Sequence, residues 1–235
     1  MREARVWFDP PAYYDPTGGL LTMTLDVPQS LIHPKGGMTV QGHIALIRHQ
    51  LRQIKSALAL AYSLGRKLVL PSVTCGYDKY WGPLWRGVIP GTHTFALPIL
   101  NCPLDHFLEV GQLDPVNTVR EWSFMSNPRT PASVHSSVAQ VDLLQAGGGA
   151  GAQQMERLEA MRATKVLNIT NSFHSLDLTR EGRLLRNGPL KRFLRKFGSV
   201  GGSWCCAPSE EAKKGAPRSA YFRLVESSGN SWSIG

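Results

Sequence analysis

Apolar side chains recur at alternating steps of three and four in the first third of the chain: Ile44, Ile47, Leu51, Ile54, Leu58 and Ala61 fall on one face, and Arg48, Arg52 and Lys55 leave it. The spacing predicts one long amphipathic helix. Ahead of it stands the Gly36-Gly37 pair, and behind it Lys67-Leu68-Val69-Leu70-Pro71, a run too short and too apolar for anything but an interior strand. Glycine turn, helix and buried strand together are the seed of a nucleotide-binding α/β layer. Further strands are expected at 20–25, 94–100, 165–170 and 200–206, and a helix at 153–163. The fold class that follows is α/β, Rossmann-like, with a mostly parallel sheet flanked by helices. Residues 1–34, rich in proline and aromatics, read as an extended N-terminal segment. Residues 35–206 read as the α/β domain, with a flexible glycine-rich insertion near 145–153, and 207–235 as a polar tail.

A helix that starts after a glycine turn offers free amides and a positive dipole end to a phosphate. The glycines equally suit a plain connection, since their spacing is neither a Walker nor a dinucleotide fingerprint. Asp78, beside Tyr80 and Trp81, suits a sugar whose apolar face stacks on an aromatic ring, and it equally suits the cap of a turn. Trp204 reads as core.

Several blocks carry a resemblance in order along the chain. The helix ending ALALAYSLGRKLVLP resembles ALAIASLLNRTLVMP in the C-terminal region of the plant and algal extensin arabinosyltransferases of glycosyltransferase family 77. The segment Thr74-Cys75-Gly76-Tyr77-Asp78-Lys79-Tyr80-Trp81 follows where that family has a Cys, an Asp and a Trp. Cys102-Pro103-Leu104-Asp105-His106 resembles its CPLDH segment, Arg120-Glu121-Trp122-Ser123-Phe124 its REYSF stretch, and Trp204-Cys205-Cys206 its late WCC motif. A weaker likeness joins the helix and strand to O-fucosyltransferase-type enzymes, so the fold it implies is a GT-B half or an O-fucosyltransferase-like layer.

The resemblance implies a Golgi enzyme that moves arabinofuranose from UDP-arabinofuranose to arabinosylated hydroxyproline on extensin-type cell-wall glycoproteins. It also implies an upstream membrane anchor and an Asp-x-Asp motif holding Mn2+, neither of which this sequence contains, so no metal site is expected within it. A transferase without metal would use helix amides and basic side chains on the departing diphosphate. On that reading Gly36, Gly37, His43 and Arg48 meet the phosphates, Asp105 or His106 acts as base toward the acceptor hydroxyl, and Asp78 and Trp81 hold the sugar. Two rivals stand beside it, a non-catalytic lumenal acceptor-binding or interaction module and a metal-free fucosyltransferase-like enzyme.

Composition narrows this little. A chain of 235 residues with 42% hydrophobic content can bury a core. Its net charge of +9 suits a nucleotide diphosphate, an acidic polymer or nucleic acid, but no zinc finger, RNP or KH motif supports the last. Residues 180–196 read as a basic amphipathic helix, either a solvated positive face over a packed one or a surface for anions. Cys75, Cys102, Cys205 and Cys206 form no CxxC pair. In a chain resembling lumenal enzymes they permit disulfides, with Cys75 to Cys102 the first expectation and buried thiols the alternative. The sequon at Asn168 falls in an expected strand, where burial would leave it unmodified.

Overall fold

A computed structural model describes residues 1–79, 98–113, 116–142, 151–170, 187–207 and 218–225. Most of the expected insertion near 145–153, most of the expected strand at 94–100, the first part of the basic helix and Trp81 lie outside them, and the last residues of that insertion, 151–153, are helical. Described helices are α1 (Pro11–Tyr14), α2 (Gln29–Ile32), α3 (Val40–Ser63), α4 (Val110–Leu113), α5 (Ala132–His135), α6 (Gly151–Ala160) and α7 (Asn187–Phe197). The strands are β1 (Leu20–Met23), β2 (Lys67–Val69), β3 (Val119–Arg120), β4 (Val138–Val141), β5 (Val166–Ile169), β6 (Gly201–Ala207) and β7 (Arg218–Arg223). They fall into two compact units, one of residues 1–26, 53–71 and 115–196, the other of 27–52, 72–114 and 197–235.

The first unit holds a five-stranded sheet in the order β3-β2-β1-β5-β4, and every neighbouring pair is parallel. This is the expected α/β, Rossmann-like sheet with flanking helices. The segment read as extended supplies its central strand, because Leu20, Leu21 and Met23 can all be buried there. Leu68, Val69, Val166, Leu167 and Ile169 extend that apolar layer, and Tyr14, Phe124 and Val134 pack with Leu20, Val69 and Val166. Two strands have no signal in the hydropathy pattern. β3 is only two residues long, and β4 is an edge strand on which only Val141 is buried.

Buried polar side chains in this unit serve the backbone. The Arg66 guanidinium, 2% exposed, donates to the carbonyls of Leu20 (3.2 Å), Thr164 (3.0 Å), Lys165 (3.4 Å) and Met161 (3.0 Å). Gly19 makes room for this: at φ +80°, a Cβ there would stand 2.6 Å from both the Arg66 guanidinium and the Lys165 carbonyl. The Gln53 amide clamps the Asp26 peptide from both sides, accepting from its N–H at 3.0 Å and donating to its carbonyl at 2.7 Å. Asn168 is half-buried on β5, and its amide nitrogen already donates to Gln140 at 2.6 Å.

The second unit has less regular structure. β6 and β7 pair antiparallel in a sheet of their own, so the expected strand at 200–206 joins a ribbon and not the parallel layer. β7 lies in the segment read as a polar tail, and its alternation is plain in retrospect: Ala220 and Phe222 are buried while Tyr221 is 52% exposed. Gly202 is required where β6 meets the 107–108 backbone, since a Cβ would stand 2.4 Å from the Leu108 Cα and the Phe107 carbonyl.

Helix α3 runs as the apolar spacing predicts. Ile44, Ile47, Leu51, Ile54, Leu58 and Ala61 are all buried, Arg52 is exposed, and Arg48 and Lys55 are half-buried. No described helix is long and apolar enough to cross a membrane. On α7, Phe193 and Phe197 are buried and Lys191, Arg192, Arg195 and Lys196 exposed, the described part of the basic amphipathic helix.

Candidate functional site

The second unit gathers three of the expected site residues into one line. His106 ends a 3-10 turn, Leu104–His106, that begins after Pro103. Its Nε2 lies 2.7 Å from the Asp78 Oδ2, and its Nδ1 lies 3.2 Å from the Asp105 Oδ1. The imidazole and Asp78 are buried, whereas the Asp105 side chain is 48% exposed. Of these three side chains, that of Asp105 is the one open to an incoming group.

The loop that carries Asp78 is fixed from several directions. His43, on the first turn of α3, turns its Nδ1 toward the loop and accepts from the N–H groups of Gly76 and Tyr77, both at 3.1 Å. With Nδ1 accepting, a neutral imidazole carries its proton on Nε2, and that buried atom has no hydrogen-bond partner among the described residues. Burial, reinforced by nearby His106, pulls the His43 pKa down to about 4, so the ring is neutral near pH 7. Trp204, fully buried, donates its indole N–H to the Asp78 carbonyl at 3.3 Å, and its ring stands 4.6 Å from that of His43. The Tyr77 hydroxyl donates to the Met38 carbonyl at 2.6 Å, and the Lys79 ammonium donates to the Asp105 carbonyl at 2.5 Å. Gln50 completes the frame as a peptide clamp: its amide accepts from the Thr74 N–H and donates to the Thr74 carbonyl, each at 2.8 Å.

Cys75 and Cys102 form a disulfide with their Cα atoms 5.5 Å apart, the pairing expected first from the sequence. Beside it Cys75 and Ile99 exchange two backbone hydrogen bonds, of 2.9 and 2.8 Å.

The other expected site residues stand at the leading end of α3. Gly36 and Gly37 are exposed, with φ of +86° and +90° and open space where a Cβ would be. The Thr39 hydroxyl accepts from the Gly42 N–H at 3.0 Å and caps the helix. The end is not covered, since Thr39 and Gln41 are exposed as well. Arg48 is half-buried farther along the same helix. Among the described residues no three His, Cys, Asp or Glu side chains are grouped to hold a metal ion, so the manganese that the resemblance brings with it has no ligand set there.

Sequence reasoning gave no site role to Gln50 or Trp204. A glutamine on the apolar side of a helix is the available signal for the first. The second had none, because its partner is a backbone carbonyl distant in sequence.

No protein-family model matches the chain, and no solved structure matches it. Among curated proteins it is similar to arabinosyltransferase XEG113 of Arabidopsis thaliana, with 31% identity over 252 aligned positions that take in 95% of this chain. The chain spans 37% of the length of that relative. The similarity to that arabinosyltransferase thus takes in nearly the whole of this chain and little more than a third of the relative.

Proposed function

We propose that this chain is the acceptor-facing region of a Golgi arabinosyltransferase that transfers arabinofuranose from UDP-arabinofuranose to arabinosylated hydroxyproline on extensin-type glycoproteins. The observation that carries the reading is the line Asp105–His106–Asp78, one open carboxylate backed by a buried imidazole and a buried carboxylate. Glycosyl transfer needs the acceptor hydroxyl to give up its proton as its oxygen bonds to the anomeric carbon and the diphosphate departs. Asp105 is the group that can touch that hydroxyl. His106 shares the proton it takes, and Asp78 balances the charge that develops on the ring.

The departing diphosphate is met at the leading end of α3, where the Gly36-Gly37 turn leaves the helix amides approachable; Arg48, about two turns farther along the same helix, is the cation this reading assigns to it. His43 belongs to the same site as its frame. A neutral ring gives a phosphate no charge, so its part is to hold Gly76 and Tyr77 and thereby Asp78. Trp81, expected on the sugar, falls in the stretch that follows Asp78.

Calorimetric titration of the purified chain with UDP and with GDP, each with and without manganese, tests the donor half of this reading. The expected result is heat with UDP that Arg48→Ala abolishes. Heat with GDP alone in the absence of metal would favour a fucosyltransferase-like enzyme, and no heat with either nucleotide would leave the chain as an acceptor-binding module.

A further inference from the structure

We infer that the Cys75–Cys102 disulfide is the positioning clamp of the Asp78–His106 pair, so that the pair is assembled only in the oxidised chain. The inference rests on the reading above for its effect on transfer, and on geometry alone for its effect on the pair. Asp78 stands three residues after Cys75, and His106 four residues after Cys102. Neither lies within a long element that would fix it: Asp78 follows a bend, and His106 closes a three-residue turn.

Both halves touch β6, at different residues. Asp78 is held by the Trp204 indole at its carbonyl, and the two residues before it by His43. The His106 half is held where Phe107 and Leu108 pack against Gly202 and the Glu109 N–H donates to the Gly201 carbonyl at 2.6 Å. Among the described residues, and besides β6, the halves are joined by the disulfide, the paired backbone of Cys75 and Ile99, the Cys102 N–H donating to the Val73 carbonyl at 2.7 Å, the Ser72 hydroxyl donating to the Asn101 side chain, and the Lys79 contact to Asp105. The disulfide is the covalent member of that set. A dithiol opens it by taking its place as the disulfide: the reductant is oxidised, and Cys75 and Cys102 each gain a hydrogen as thiols.

The test labels the histidines with 15N and follows the His106 ring N–H by NMR in the oxidised chain, in the chain reduced by a dithiol, and in the Cys75→Ser/Cys102→Ser and Asp78→Asn variants. The expected result is a protected His106 N–H in the oxidised chain whose solvent exchange rises roughly tenfold on reduction and in both variants, the loss of one hydrogen bond to a charged group. Ring resonances of Tyr14 and Phe124, in the unit that lacks the disulfide, are expected to stay in place. Unchanged His106 exchange with both thiols shown to be free would overturn the inference. So would the collapse of the Tyr14 and Phe124 signals on reduction or in the double variant, which would give the disulfide a fold-wide role. Transfer activity is read separately: a His106 signal that responds in a chain without transfer would sink the functional reading and leave the clamp standing.

Discussion

The two units solve the same problem by different means. In the sheet unit, strands of two to four residues are adjacent and parallel, and side chains such as Leu21, Leu68 and Leu167 are wholly buried. Hydrophobic burial there supplies most of the order, and Arg66 and Gln53 add polar clamps on backbone groups. Among the described residues of the second unit, those outside its α3 turns, the short helices α2 and α4, the Leu104–His106 turn and the β6–β7 ribbon form loops whose peptide groups have few ladder partners. It relies on a cross-link between residues 27 apart, worth about 3 kcal/mol by loop closure, and on polar clamps from Gln50, His43 and Trp204. The lesson is one of placement. The unit that holds the titratable cluster is the one whose loops are tied down by specific contacts, as a site of positioned side chains requires.

The comparison breaks most sharply at Arg66. Arg66→Ala removes a buried charged donor from the carbonyls of Leu20, Met161, Thr164 and Lys165, of which those of Met161 and Lys165 keep a backbone N–H, and the expected loss is roughly 4 kcal/mol in urea unfolding of the sheet unit. A loss below about 1 kcal/mol would show that water replaces the guanidinium freely and that the sheet does not depend on it.

Acid should act next, and on the other unit. His43 takes a proton from about pH 4 in the folded chain, against the ordinary 6.5 when unfolded. Between those values the unfolded chain binds more protons, so stability falls as the pH drops through that window and is flat on either side of it. The expected loss attributable to His43 is roughly 3 kcal/mol between pH 6.5 and 4, read as the difference between the native chain and His43→Gln in unfolding series over that range. Parallel pH profiles for the two proteins would contradict the neutral, accepting His43.

How much of this was legible follows the same division. The face of α3 and strands β1, β2 and β5 are written in periodicity and in apolar runs, because burial is what makes those elements. β3 and β4 are not, since a two-residue strand and an exposed edge carry no pattern and take their conformation from neighbours far away in sequence. Within the candidate site, Asp78, Asp105 and His106 were each visible as chemistry, and Cys75 with Cys102 as a pairing. Their meeting was not visible, because it depends on a loop pinned by the Trp204 indole, more than a hundred residues farther along the chain. His43 was visible as a residue near a helix start, but its employment as an acceptor for two loop amides depends on tertiary placement alone.

The central claim is that the Asp105–His106–Asp78 line deprotonates an acceptor. Its most direct test is arabinose transfer from UDP-arabinofuranose to an arabinosylated hydroxyproline peptide, measured with the protein in all of its native sequence and with Asp105→Asn and His106→Gln. The account predicts a fall of about a hundredfold or more in kcat for each variant, with folding and acceptor binding retained. Transfer at the native rate by both variants would contradict it.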